Sequence, residues 1–231
     1  MKVDIGIIGA LDEEVSGLIA QLEGHECESV SGIEFHTGKL FGKRVAVARC
    51  GVGKVFAAIC AEAMIIKYSP SLIINTGVGG ALGGELVTSD IVIAEKVCQH
   101  DMDTSPLGDP KGLISGINKI FFNADERALS ILTRTVSELG LRAFVGTVAS
   151  GDKFVADRDD KFRIASDFGA LACEMEGGAV AHTAYVNNTP FAVIRAISDS
   201  ADGDATMDYP EFLPIVAKRS AALTLALVKS Y

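Results

Sequence analysis

Leu171–Asp204, LACEMEGGAVAHTAYVNNTPFAVIRAISDSADGD, is the stretch from which the rest of the chain can be read. It opens as a carboxylate-bearing loop, with Glu174 and Glu176 entering the helix that follows. A helical run of small residues begins at Ala179 and stops near Asn187–Asn188, ahead of Pro190. Phe191–Ile197 is a mostly apolar run of strand length, bounded by that proline and by a polar tail starting at Ser198 and Asp199. Acids therefore stand at both ends of one helix–strand unit. In open α/β sheets ligands sit outside the carboxyl ends of strands, which makes Asp199 the first candidate for chemistry. A solvated acidic loop with a helix cap is the bland alternative, and spacing alone does not separate the two.

Outward from that stretch, composition narrows the class. The chain has 231 residues, 48% of them hydrophobic, which suits one domain spanning 1–231 with one large core. A net charge of −9 without any Lys or Arg cluster argues against a nucleic-acid partner. The five cysteines are odd in number and contain no CxxC, the pattern of reduced thiols in a cytoplasmic protein. No signal-peptide pattern opens the sequence, and no apolar stretch has the length of a membrane span.

Strands alternate with helices along the chain. Val3–Ile8 reads as a buried strand, followed by a helix from about Asp12 with an apolar stripe of Val15, Leu18, Ile19 and Leu22. Glu14 sits in its first turn, either as a dipole-favoured acid or as a carboxylate facing a ligand. Residues 24–50 read as a meander. Cys50–Lys54 is a glycine-rich turn into a helix, and it lacks the full phosphate-loop pattern. Leu72–Asn75 is a strand running into Thr76–Ala81, where small residues permit close backbone approach. Ile91–Cys98 and Phe144–Ala149 are further strands, Asp125–Leu139 a helix, and 104–118 a long loop of the kind that forms lids or interfaces. Pro210 opens the last helix, with Pro214 near its start. His100, Asp101 and Asp103 match no standard zinc spacing, so no metal is expected there. The alternation argues for a mixed α/β sheet covered on both faces.

Six segments in order, IGIIGALDEEV, CGVGKV, INTGVGG, SGDKFV, EMEGGAVAH and RAISDSAD, resemble the bacterial 5′-methylthioadenosine/S-adenosylhomocysteine nucleosidases of the purine nucleoside phosphorylase superfamily. The resemblance runs from about Lys2 to Tyr231. It implies a nucleoside phosphorylase-like α/β fold, a single-domain three-layer arrangement with a distorted, barrel-like mixed sheet flanked by helices. It also implies a homodimer, and hydrolysis of the adenine–ribose bond without metal or cofactor. By that likeness Asp199 is the general acid and Glu14 activates water. Met175 and Glu176 bind the ribose, the backbones of Gly80 and Val155 contact the nucleoside, and Phe154 stacks on adenine. Leu11 and Val52 form the apolar wall around ribose and thioether, and Tyr209 stands where relatives often carry Phe. Val78 departs from a frequent Ser, and Leu107 aligns loosely with an aromatic supplied by a neighbouring subunit.

These residue types suit the reaction. Adenine leaves poorly unless a ring nitrogen is protonated, and a carboxylic acid beside it supplies the proton. Arg195, two residues before Asp199, points to the same face of a regular strand and is expected at the substrate with Ser198, which is placed to hold the Asp199 side chain. A second acid activates water on the opposite face of the sugar, as in inverting glycosidases with carboxyls about 6.5–9.5 Å apart. Glu174 and Glu176 diverge if both are helical, so Glu176 is expected at the ribose with Glu174 as support. Three rivals stay open: a phosphate-dependent phosphorylase, a hydrolase of futalosine or 5′-deoxyadenosine, and a non-catalytic nucleoside sensor.

Overall fold

The computed structural model describes residues 2–83, 85–199 and 205–231, with side chains from 212 onward in the last of these. The centre is made by strands too apolar to face water on either side. β1 (Ile5–Gly9) is buried at every position, and so is β10 (Phe191–Asp199). Such runs need cover on both faces. β1 lies between β4 (Lys43–Arg49) and β5 (Leu72–Ala81), parallel to both. β3 (Ile33–Leu40) and β2 (Glu23–Val30) extend that edge as an antiparallel meander, as the punctuation by glycine implied.

On its other side β5 enters a closed ring. It pairs in parallel with β10 and antiparallel with β9 (Ala170–Glu174). β10 pairs antiparallel with β6 (Ile91–Gln99), which runs parallel to β8 (Ala143–Ser150), and β8 runs parallel to β9. Five strands thus form a mixed barrel, and a sixth short strand, β7 (Phe122–Asn123), is attached to β6. The barrel-like sheet implied by the family resemblance is present.

Helices cover both faces. α2 (Lys54–Tyr68) and α5 (Gly177–Val186) share one core, with Met64, Tyr68, Val180 and Ile73. α1 (Asp12–Ile19), α3 (Glu126–Glu138) and α6 (Ala205–Ser230) share the opposite one, with Val15, Leu18, Leu132 and Leu227. α4 (Arg158–Phe168) packs Ile164 and Phe168 against β9 and β8.

Four local readings are corrected. β5 does not end at Asn75, because Thr76–Ala81 continues the ladder against β10 and β9. Leu171–Glu174 is no loop; it belongs to β9, whose small residues fit inside the barrel. Glu174 ends that strand and Glu176 caps the helix, so neither lies within α5. The last helix begins at Ala205, and Pro210 and Pro214 both fall inside it. Between Gln99 and Phe122 the long loop holds only a 3-10 turn at Ser105–Leu107 and one bridge from Ile114 to Lys119.

Gly6 shows how closely α2 rides on β1. A Cβ there would sit 2.2 Å from Sδ of the fully buried Met64. Gly6→Ala is expected to destabilise the fold by about 1–3 kcal/mol through overpacking, read as a lower urea midpoint. The double variant with Met64→Ala is expected to regain part of that loss.

Candidate active site

A cleft of about 560 Å³, including its open mouth, lies at the carboxyl ends of β1, β5, β8, β9 and β10. Four carboxylates border it, Glu14, Glu174, Glu176 and Asp199, all buried. Burying acids is unfavourable unless each finds donors or a counter-charge. The surrounding elements supply them.

Glu14 is the third residue of α1. Its Oε2 accepts from the backbone amides of Ala10 (2.6 Å) and Leu11 (3.0 Å), and its Oε1 from that of Val78 (3.0 Å). Burial pushes its carboxyl above the usual range, against the opposing pull of Arg195 and these amides. Room for it comes from β5: a Cβ on Gly77 would lie 2.4 Å from Oε1. The small-residue run Thr76–Ala81 therefore serves close approach by a carboxylate. Val78 meets Glu14 through its backbone N–H, which any residue but proline can donate.

Glu174 is held from three sides. Ser150 Oγ and Arg195 Nη2 donate short hydrogen bonds to it, and the amides of Glu176 (3.0 Å) and Gly177 (2.7 Å) donate to its Oε2. Burial alone would push it up, but the Arg195 charge and these donors take it below the ordinary carboxylate range. Glu176 Oε1 accepts from Gly53 N at 2.9 Å. The glycine-rich turn thus directs an amide at a carboxylate rather than at a phosphate. Burial and the neighbouring Glu174 charge raise Glu176 to about 8.

Asp199 ends β10 after a register shift between Ile197 and Asp199. Ser198 Oγ donates to its Oδ1 at 2.9 Å, as expected of Ser198. Lys161 Nζ of α4 lies 3.1 Å from its Oδ2, with each side chain only 3% exposed. Gly80 leaves space, since a Cβ there would stand 3.1 Å from Asp199 Oδ2.

Around these acids Leu11, Val52, Gly80, Val155 and Met175 line the cleft, and Phe154 lies half exposed at it. Arg195 is the correction. It does not line the cleft; its guanidinium lies beneath it, bonded to Glu174, to the Asn75 side chain and to the carbonyls of Asn75 (3.2 Å) and Ile194 (2.8 Å). Strands on either side of β10, β5 parallel and β6 antiparallel, left the arginine an inward route only. The expected side chain of Tyr209 lies outside the described residues. Asp101 is engaged by Lys54 Nζ (2.6 Å) and by Asp152 N (2.9 Å).

Sequence reasoning missed Lys161 and Ser150. Lys161 sits in the charged run Asp157–Arg163, which looks solvated. A signal was present: Asp157 caps α4, accepting from the amides of Asp159 and Asp160 at 3.0 Å each, and an Asp before further acids marks a helix start.

Comparison with known proteins agrees with this geometry. Residues 4–229 match the family model of the phosphorylase superfamily. A 5′-methylthioadenosine/S-adenosylhomocysteine nucleosidase of Shewanella halifaxensis is 37% identical over 227 residues, 97% of this chain and 98% of that protein. The crystal structure of the Neisseria meningitidis nucleosidase of that name, in complex with methylthio-immucillin-A, superposes with a TM-score of 0.95 at 33% identity, covering 99% of each chain. The native structure of a Helicobacter pylori futalosine hydrolase also superposes at 0.95, with 32% identity, over 99% of this chain and 98% of that one. Fold and site define a member of the phosphorylase superfamily, and within it the chain belongs to the 5′-methylthioadenosine/S-adenosylhomocysteine nucleosidases.

The Glu176 environment has a pH consequence. Between about 4.5 and 8 the folded protein keeps a proton on Glu176 that the unfolded chain has lost. Stability therefore falls as pH rises through that window, with Glu14 adding in the same direction. Urea unfolding at a series of pH values is expected to show this decline, and Glu176→Gln to flatten it.

Proposed function

We propose that this chain hydrolyses the N-glycosidic bond of 5′-methylthioadenosine and S-adenosylhomocysteine, releasing adenine. One observation carries the reading: Glu14 and Asp199, brought from opposite ends of the sequence, are buried at one cleft with an apolar wall. In the reaction the C1′–N9 bond breaks with positive charge growing on the sugar. Asp199 gives a proton to the purine, Glu14 takes one from the attacking water, and the water oxygen bonds to C1′. Glu176, next to Met175, receives the ribose hydroxyls, and Phe154 lies against adenine. Leu11 and Val52 take the 5′ side. No step needs a metal or cofactor. Arg195, being bonded to Glu174, acts through that acid and not on the substrate.

Hydrolysis is favoured over phosphorolysis by charge. A phosphate needs cationic donors, and Lys153, which lines the cleft, has its ammonium bonded to Asp160. The cationic groups next to the cleft, Arg195 and Lys161, are likewise engaged by Glu174 and Asp199 and are not offered to an anion. The presence of both proposed catalytic acids disfavours a mere nucleoside sensor. The futalosine hydrolase likeness makes the 5′ substituent the open variable, so the first experiment is a panel of 5′-methylthioadenosine, S-adenosylhomocysteine, 5′-deoxyadenosine and futalosine, with and without phosphate. Free adenine and a reducing sugar from the first two, unchanged by phosphate, are the expected products. A sugar 1-phosphate would overturn the reading. In the same assay Asp199→Asn is expected to lower kcat by about 10²–10⁴-fold, the usual contribution of one acid–base group, while nucleoside binding is kept.

The proposal includes a cytoplasmic homodimer. Val55, Ile59 and Ile66 of α2 and Val186 of α5 expose an apolar face beside a groove lined by Ala58, Ala63 and His182. A contiguous face of that kind marks an interface, and a second copy is the occupant that the family likeness implies. Ile66→Asp is expected to shift the protein from dimer to monomer in sedimentation equilibrium.

A further inference from the structure

The edge ribbon β2–β3, on the outer margin of the sheet, gathers a second group of reactive side chains. Cys27 and His36 are directly opposed in the antiparallel register, as are Ser29 and Glu34. Residues two apart on a strand share a face, so Glu34 stands beside His36 and His25 beside Cys27. The contacts agree. His25 Nε2 and His36 Nδ1 lie 2.9 Å apart with their rings stacked at 5.1 Å. His36 Nε2 is 3.8 Å from Glu34 Oε2. One donor atom from each of Cys27, Glu34 and His36 falls within 4.8 Å of the others.

We propose that this face binds one divalent cation of the zinc type, through Cys27 Sγ, His36 and Glu34, with water as the fourth donor and His25 hydrogen-bonded to the far nitrogen of His36. The chemistry of the set selects the class: thiolate, imidazole and carboxylate together suit zinc, and calcium and magnesium, which take oxygen donors, do not favour the thiolate and imidazole. In a tetrahedral site with metal–N near 2.0 Å and metal–S near 2.3 Å, donors stand roughly 3.3–3.8 Å apart. The side chains therefore close by about an ångström, and Cys27 and Glu34 are exposed and free of core packing. Charge balances as well. Binding forms a metal–sulfur bond and sends the thiol proton to solvent, after which thiolate and carboxylate neutralise the dication and the imidazoles stay neutral. Without a cation, slight burial and the charges of Glu34 and Glu28 hold the Cys27 thiol above its ordinary value; a bound dication reverses that. The ion would clip β2, every residue of which is exposed or half-buried, to β3. It lies apart from the nucleoside cleft and takes no part in hydrolysis.

The test uses the full, untagged chain stripped with a chelator. Titration with zinc by calorimetry is expected to show one equivalent bound, and cobalt(II) in its place to show a thiolate-to-metal charge-transfer band. Cys27→Ser is expected to abolish that band, and Cys27→Ser and Glu34→Gln each to weaken zinc binding at least tenfold. Far-ultraviolet circular dichroism and the urea midpoint of both metal-free variants are expected to match the metal-free parent, which shows them folded. Absence of micromolar binding, or binding that both variants retain in full, would overturn the proposal. So would a cobalt spectrum without a thiolate band. None of these outcomes depends on which nucleoside the cleft accepts.

Discussion

The buried pair of Arg195 and Glu174 is the interaction on which the site depends. Arg195 comes from β10, Glu174 from the end of β9, and the Asn75 that completes the cradle from β5. These strands are neighbours in the barrel, so the ion pair ties its walls together beneath the cleft. An unpaired charge at that depth costs several kcal/mol, and removing one partner of such a pair typically costs about 3–5 kcal/mol. The pair also sets the electrostatics above it. Glu174, kept ionised by Arg195, raises Glu176 beside it, while the Arg195 charge opposes the rise at Glu14. One arginine that does not line the cleft thereby grades two acids that do.

Close approach is the second constraint. Carboxylates are brought against backbone at Gly77 and Gly80 because those positions lack a Cβ. Amides of Ala10, Leu11, Val78 and Gly53 then point at acids instead of at water or anions. The glycine-rich turns of this chain resemble phosphate loops in composition, yet the partners they hold are side chains of the same protein. These amides are therefore already engaged and are not offered to an anion, which on the proposed reading favours water over phosphate as the nucleophile.

Much of this was legible from residues alone. β1 and β10 were visible as apolar runs of strand length, Glu14 as an acid in the first turn of a helix and Asp199 as an acid at a strand end. β9 was not, because LACEM is short, mixed and buried in a barrel whose closure depends on pairings distant in sequence. The inward turn of Arg195 was hidden for a related reason. Strand periodicity gives the face on which a side chain lies, but burial by β5 and β6 on either side of β10 decides what it meets there. Lys161 was the least readable. Its neighbours Arg158, Asp159, Asp160 and Arg163 are charged, and only the packing of Ile164 and Phe168 turns it toward the cleft.

That lysine bears on the proposed chemistry in a way the motif residues do not. An acid that has given its proton to a departing purine is left as a buried carboxylate. A buried carboxylate is tolerable only with a counter-charge and hydrogen-bond donors. Lys161 Nζ at 3.1 Å and Ser198 Oγ at 2.9 Å supply both before any substrate arrives. On this reading the cleft is built for the state that follows proton transfer, and α4 contributes to catalysis through the one ammonium that it buries. Electrostatic groups fixed in advance need no reorganisation at the moment of reaction. The helix that sequence reading overlooked thus supports the acid that it identified first.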